Sequence, residues 1–429
     1  MTGPGSTRRR SNPIIGLAAA AVAAAAGAAV GAVAVDRAQR TRAAMAALES
    51  PDELKITPDA EIVVIADDGV PLHVEVDEPT PEAAAAAAKG TTKGGRPDRL
   101  PTVVLSHGYC LSLRCWVYQR RALKDAGYRV VSWDQRGHGQ SGQGEPDTYV
   151  IDQLGADLHA VLEQVVPDGD LVLVGHSMGG MTIMAYGEQF PDVVRDRVIG
   201  VGFVATSPGG LTLANGGKLA TVARMALERV GPQILGPLSH RPELVANMRR
   251  AGRELEDYVV EQNSFASPVS RRVVRYTADM ILGTPLDTIN DFLKTFDGFD
   301  KRPALAHFTR TLVLVFNGRQ DILTPPAHSE LIVDAIPGSE HVIVNDAGHI
   351  IMLEHPDLLN AHLIQLVDQA ARARAQAINV ARAPRVRRVV TDVAPGRRLK
   401  QLEKAAAAAV RAESRRKQRA AKGASQRGA

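Results

Sequence analysis

The chain has 429 residues, more than one average domain and ample for a large core. Its net charge of +4 is uneven: residues 381–429 hold fifteen Lys and Arg against three acidic residues, which leaves the remainder at −8, so the isoelectric point of 9.1 describes a tail and says nothing about a substrate. Two cysteines, Cys110 and Cys115, are too few for a disulfide scaffold or a zinc site; five positions apart, they fit two buried thiols or one small local bridge.

At the N-terminus, Arg8, Arg9 and Arg10 precede residues 14–35, an uncharged run of 22 residues rich in Ala and Gly. At about 1.5 Å per residue this length spans a bilayer, although its composition inserts less strongly than a Leu-rich segment. Three readings fit it. A signal anchor would tether the protein outside the cytoplasm, at a bacterial cell envelope; a signal could instead be cut after Ala32–Ala34; an Ala-rich soluble helix is the third. Arg37, Arg40 and Arg42 follow the run, so charge asymmetry gives no orientation. The residues after the paired arginines lack the apolar pair of a twin-arginine signal.

Residues 1–55 therefore read as flank, apolar segment and linker. Residues 61–76 read as two strands joined at Asp68-Gly69, a hairpin signal. Residues 79–100 are low in complexity and read as a surface excursion or linker. From residue 102 the pattern changes to short apolar runs at 102–106, 128–133, 171–175, 198–206, 311–316 and 340–345, alternating with helical periodicity. Leu154, Leu158, Val161, Leu162 and Val165, for example, share one helix face. Continuous apolar strands alternating with helices predict an α/β fold with a doubly wound, mostly parallel sheet.

The predicted core comprises residues 56–208 and 304–375. Between them, residues 209–303 show helix-like stretches and no clear strand: Leu219, Val222, Ala226 and Val230 share a face, and the segments SPVSRRVVRYTADMI and LDTINDFLKTF follow. An insertion of this size between core strands is a candidate helical lid or cap, because sites in open sheets lie at the carboxyl ends of strands. Residues 376–429 read as a basic, disordered tail with room for one helix. Its charge is compatible with contact to anionic lipid or nucleic acid, or with a solubilising end; no interleaved aromatics support base stacking.

The segment LVLVGHSMGG, residues 171–180, runs a strand into Ser177 between Gly175 and Gly179. A sharp strand-to-helix turn there would expose the serine hydroxyl at a helix N-terminus, and the glycines would remove collisions two positions away. Serine needs a base, an orienting acid and an anion hole. His349 follows the strand at 340–345, and Asp321 follows the strand at 311–316; both would lie in loops at the sheet edge that carries Ser177. His355 is the rival base, but Pro356 beside it favours a structural role. Asp346 reads as a turn residue. The anion hole would use the N–H groups of Met178 and Tyr109, with Gly108 letting the chain bend close. His107 is expected to hold that loop.

Five segments in order, HGY (107–109), DQRGHGQS (134–141), GHSMGG (175–180), GRQDILTPP (318–326) and DAGHIIMLEHP (346–356), resemble the α/β-hydrolase family over about residues 60–375. The stretch HGYCLSLRCWVYQRRAL is similar to actinobacterial members. The resemblance implies Ser177 as nucleophile, His349 as base and then acid, Asp321 as orienting carboxylate, and Tyr109 and Met178 as anion-hole amides, with Asp134 and Arg136 supporting loop structure. It implies a serine hydrolase acting on carboxylic esters, including lipids or acylglycerols, through an acyl-enzyme and without metal or organic cofactor. Carbon–carbon bond hydrolysis, cofactor-free perhydrolysis, and a non-catalytic membrane-associated binding protein are the alternatives.

Overall fold

A computed structural model of the chain describes residues 54–210, 253–254, 256–380 and 384–394, with scattered helical positions from 397 to 412. The apolar run 14–35 and the predicted face Leu219, Val222, Ala226 and Val230 lie outside the described residues. Among those described, no helix is long and apolar enough to cross a membrane.

Nine strands of the described residues form one sheet: β1 (Ala60–Ile65), β2 (Pro71–Asp77), β3 (Thr102–Ser106), β4 (Val130–Trp133), β5 (Leu171–His176), β6 (Val198–Val204), β7 (Leu312–Gly318), β8 (Glu340–Asn345) and β9 (Val386–Thr391). Their spatial order is β1, β2, β4, β3, β5, β6, β7, β8, β9. The hairpin β1–β2 and the pair β2–β4 are antiparallel; all other pairs are parallel. The helices are α1 (Pro81–Thr91), α2 (Val117–Asp125), α3 (Ile151–Val165), α4 (Met178–Gln189), α5 (Pro191–Arg197), α6 (Arg271–Gly283), α7 (Leu286–Phe296), α8 (Pro326–Ala335), α9 (Ile351–Glu354) and α10 (Pro356–Ala375).

The strands are apolar on both faces because both are covered. Val103 and Leu105 of β3 join a cluster with Trp116, Leu123 of α2 and Leu359 and Leu363 of α10. Val104, between them, faces the other way, with Leu158 and Val161 of α3 and Ile183 of α4. This alternation is the two-residue period of a strand, and it explains why the central strands read as unbroken apolar runs.

Two segments differ from the sequence expectation. Within residues 79–100, α1 forms: Thr80 caps it by accepting from Ala83 N at 3.2 Å, and Ala88 is buried. Alanine is the strongest helix former, so an Ala-rich run that looks like linker needs only a cap and one neighbour to become structure. Gly127 provides close approach, since a Cβ there would lie 2.4 Å from the Ala83 carbonyl oxygen. The second correction concerns the tail from 376. Residues 386–391 form β9, paired in register with β8 from Glu340↔Val386 to Asn345↔Thr391. The charges that suggested disorder are those of an edge strand, where Arg387 pairs with Glu330 at 2.9 Å and Arg388 with Glu340 at 2.7 Å; such charges discourage pairing with another sheet.

Of the insertion, α6 and α7 match the two helical segments read from the sequence. Phe292, Phe296 and Phe299 are buried with Tyr149, Ile151, Leu154, Met178 and Met181, which seats α7 beside the start of α4.

Candidate active site

The parallel strands β3, β5, β7 and β8 all end at one edge of the sheet, and the loops there carry the residues singled out above. Ser177 follows β5 with φ 52° and ψ −117°, a conformation that costs a non-glycine residue of order 1–3 kcal/mol. The surroundings fix it. Ser177 N donates to the Val204 carbonyl at 3.0 Å, and its own carbonyl accepts from Gly180 N at 2.9 Å and Thr206 Oγ1 at 2.6 Å. A Cβ on Gly175 would lie 2.4 Å from the Gly179 backbone, and one on Gly179 only 2.2 Å from the Ser106 carbonyl oxygen. The strand thus turns into α4 within one residue, and Ser177 stays partly exposed while its neighbours are buried.

Across the edge, His349 Nδ1 lies 2.8 Å from Asp321 Oδ2, with both side chains buried. Asp321 sits in a nest of donors: Leu323 N and Thr324 N to Oδ1, each at 2.9 Å, and Thr324 Oγ1 to Oδ2 at 2.8 Å. Burial works to raise the Asp321 pKa, but the His349 partner and the Thr324 donors outweigh it and hold the carboxyl below its usual range. A carboxylate at Nδ1 fixes the ring and favours the tautomer with its lone pair on Nε2, the nitrogen a base needs. His349 Nε2 has no hydrogen-bond partner among the described residues. His176, the residue before the serine, ties the two halves together: its ring centroid is 4.8 Å from that of His349, and its Nε2 lies 2.9 Å from the His349 carbonyl oxygen.

Gly108 and Tyr109 pass close to the serine, and a Cβ on Gly108 would lie 3.2 Å from Ser177 Cβ. Neither Tyr109 N nor Met178 N meets a protein acceptor among the described residues. The Tyr109 hydroxyl donates to the Ile289 carbonyl in α7, and its ring packs 5.3 Å from that of Phe296.

The residues around these loops are tied into hydrogen-bond networks. His107 Nε2 accepts from Gln135 N at 2.9 Å, and Gln135 Nε2 donates to the His107 carbonyl at 2.6 Å. Asp134 accepts from Leu113 N at 2.7 Å and Gln140 N at 2.9 Å. Arg136 forms buried bidentate bonds with Asp157, at 2.7 and 2.6 Å, and also pairs with Asp68. His355, the rival base, instead bridges the Asp346 carbonyl, at 3.2 Å, to Asp392, at 3.1 Å. Asp346 has φ 52° and is exposed, as a turn residue would be. Cys110 and Cys115 are unbridged and buried; burial pushes both thiols well up, which makes them poor nucleophiles.

Sequence reading passed over His138, His176, Thr324 and Glu354, although each lies inside a quoted motif. His138 Nε2 accepts from Cys110 N at 3.2 Å and so props the Tyr109 loop. Burial lowers the pKa of His138 to about 4 and, with the neighbouring His349, that of His176 to about 3, so both are neutral supports at ordinary pH. Among the described residues no group of three or more His, Cys, Asp or Glu could hold a metal ion.

Known proteins share the fold that carries these residues. A family model described as the alpha/beta hydrolase fold matches residues 101–356. Methylesterase 8 of Arabidopsis thaliana is 23% identical over 273 residues, covering 62% of this chain and 89% of that protein. Among solved structures, a malate-bound thermophilic esterase from Thermogutta terrifontis superposes with a TM-score of 0.54 at 22% identity, covering 73% of this chain and 99% of that one. A bromoperoxidase from Bacillus anthracis gives 0.53 at 24% identity, covering 72% and 99%. The chain belongs to the alpha/beta hydrolase fold family of enzymes.

Proposed function

We propose that the protein is a serine hydrolase of carboxylic esters, with Ser177 as nucleophile, His349 as base and then acid, Asp321 as the orienting carboxylate, and the Tyr109 and Met178 amides as the anion hole. The observation that carries this reading is the buried His349–Asp321 pair at 2.8 Å, with His176 linking it to the strained, partly exposed serine. In this reading His349 Nε2 takes the hydroxyl proton as Ser177 Oγ attacks the acyl carbonyl. The carbonyl oxygen becomes an oxyanion held by the two amides, whose fixed N–H dipoles need no reorganisation. Collapse breaks the acyl–oxygen bond, His349 gives its proton to the departing alcohol, and the acyl group remains on Ser177. Water, deprotonated by His349, then releases the acid and restores the hydroxyl. Asp321 stays ionised and stabilises the imidazolium in both steps.

The Leu-, Val- and Met-containing insertion favours an apolar acyl group, including that of a lipid or acylglycerol. A place at the cell envelope belongs to the same proposal: the length and flanks of residues 14–35 suit an anchor, and the basic tail suits anionic headgroups. Cell fractionation checks the location.

The test of the chemistry is fluorophosphonate labelling together with turnover of p-nitrophenyl esters and acylglycerols of graded chain length. Labelling at Ser177, and loss of both signals in Ser177→Ala, are expected. Labelling without turnover of any ester would move the reading to carbon–carbon bond hydrolysis or perhydrolysis. Absent labelling in a folded protein would favour a binding protein on this fold.

A further inference from the structure

We infer that Glu354 is a positioning residue, which makes the peptide of His349 and the insertion segment 264–267 move as one body. The inference rests on His349 being the base, as proposed above, and concerns what sets its place.

The backbone around His349 is held at three consecutive residues. Gly348 N donates to Glu354 Oε2 at 2.7 Å, the His349 carbonyl lies 2.9 Å from His176 Nε2, and Ile350 N donates to the Ser264 carbonyl at 3.0 Å. One of these anchors belongs to the core. The others lead into the insertion, because Glu354 Oε1 also accepts from Ala266 N at 2.9 Å and Ser267 N at 2.5 Å. The packing between them leaves no slack: a Cβ on Gly348 would lie 2.6 Å from the Ser264 carbonyl oxygen and 3.0 Å from Ala266 N.

Glu354 is 1% exposed, and a buried carboxylate is costly unless its lone pairs are filled. Three backbone donors fill them here, in two segments that are remote in sequence. Only a carboxylate offers acceptors on both arms. An amide would turn an NH2 toward Gly348 N or toward the paired donors of Ala266 and Ser267, and so break one side of the clamp. Burial raises the Glu354 pKa, and the Gly348 and Ser267 donors work against that rise. Hence the segment 264–267 acts on the base through backbone geometry. An insertion that shifts as substrate enters would carry His349 with it.

The test compares the full chain with Glu354→Gln and Glu354→Asp. For Glu354→Gln, kcat on p-nitrophenyl butyrate should fall about 10–100-fold with KM within about 3-fold, since displacement of a catalytic group costs rate more than binding. Glu354→Asp should recover part of the loss. Hydrogen exchange should accelerate together at residues 263–268 and 346–350 and stay unchanged in β5 and β6. Unchanged kcat and exchange, or acceleration in only one segment, would overturn the inference. If neither variant folds, native-state exchange of the unaltered protein decides: the two segments should open with the same denaturant dependence, and separate opening sinks the idea. A protein that lacks esterase activity but shows joint opening would fail the proposed function while leaving the mechanical link standing.

Discussion

Ser177 is held by core groups alone, through Gly175, Gly179, the end of β3 and Val204 and Thr206 at the end of β6, whereas His349 is held by core groups 28 and 173 residues away and also by an insertion segment that Glu354 joins across 88. The elbow is rigid because backbone meets backbone at distances that admit no side chain. The histidine loop is packed as closely, since a Cβ on Gly318 would lie 2.2 Å from the Ala347 carbonyl oxygen, but it is also tied to the insertion by hydrogen bonds, each worth about 1 kcal/mol net. One half of the site thus rests on the core alone, and the other on the core and the insertion together.

The largest effect should come from attacking the elbow. Gly179→Ala drives a methyl group to 2.2 Å from the Ser106 carbonyl oxygen and 2.7 Å from that of His107, neither of which can rotate aside. A cost of about 3 kcal/mol or more is expected, seen as lost soluble yield and a lowered Tm; a normal Tm would show the elbow to be softer than argued. On the histidine side, Asp321→Asn keeps the shape but offers Nδ1 the wrong partner, and kcat should drop about 10³–10⁴-fold with the fold intact. Steady-state kinetics and Tm on one preparation separate the two effects.

Acid should also tell the halves apart. His138 and His176 have folded pKa values lowered to about 4 and about 3, below the ordinary His value of about 6.5. Their contribution to stability is full above about pH 6.5 and is lost as pH falls toward those lowered values, by about 2 kcal/mol each at pH 5. Tm should thus fall between pH 7 and 5, and less steeply in His138→Gln. Asp321 is lowered too, but as a carboxyl: its contribution persists through the ordinary carboxylate range and is lost only below about pH 4. A flat Tm from pH 7 to 5 would contradict the neutral, buried state of the two histidines. The smallest effect belongs to Tyr109→Phe, which removes the hydroxyl and its bond to Ile289 in α7. About 1 kcal/mol of stability and a 3–10-fold fall in kcat/KM are expected; no change in either would uncouple α7 from the Gly108–Tyr109 loop.

Much of the site was legible because its signals are local. The glycines around Ser177 signal the turn within five residues, and the placing of Ser177, Asp321 and His349 after successive strands follows from apolar runs that must be buried. His176 and Glu354 stood inside those same motifs, but their partners, the His349 carbonyl and the amides of Ala266 and Ser267, are backbone atoms that carry no side-chain signature. The helix α1 hid in an Ala-rich run because alanine marks neither a core face nor a turn. The strand β9 hid among arginines because an edge strand needs only one paired side, so its pattern follows solvent more than core.

By itself the sequence determined the layered α/β architecture, the turn at Ser177 and the residue types able to act there, since periodicity and steric exclusion work over a few residues. Tertiary structure alone decided which backbone groups meet Glu354 and His176, where the basic chain rejoins the sheet, and how the insertion grips the histidine loop. Those outcomes depend on the closure of long loops, and loop closure brings together groups whose spacing along the chain carries no information about their contact.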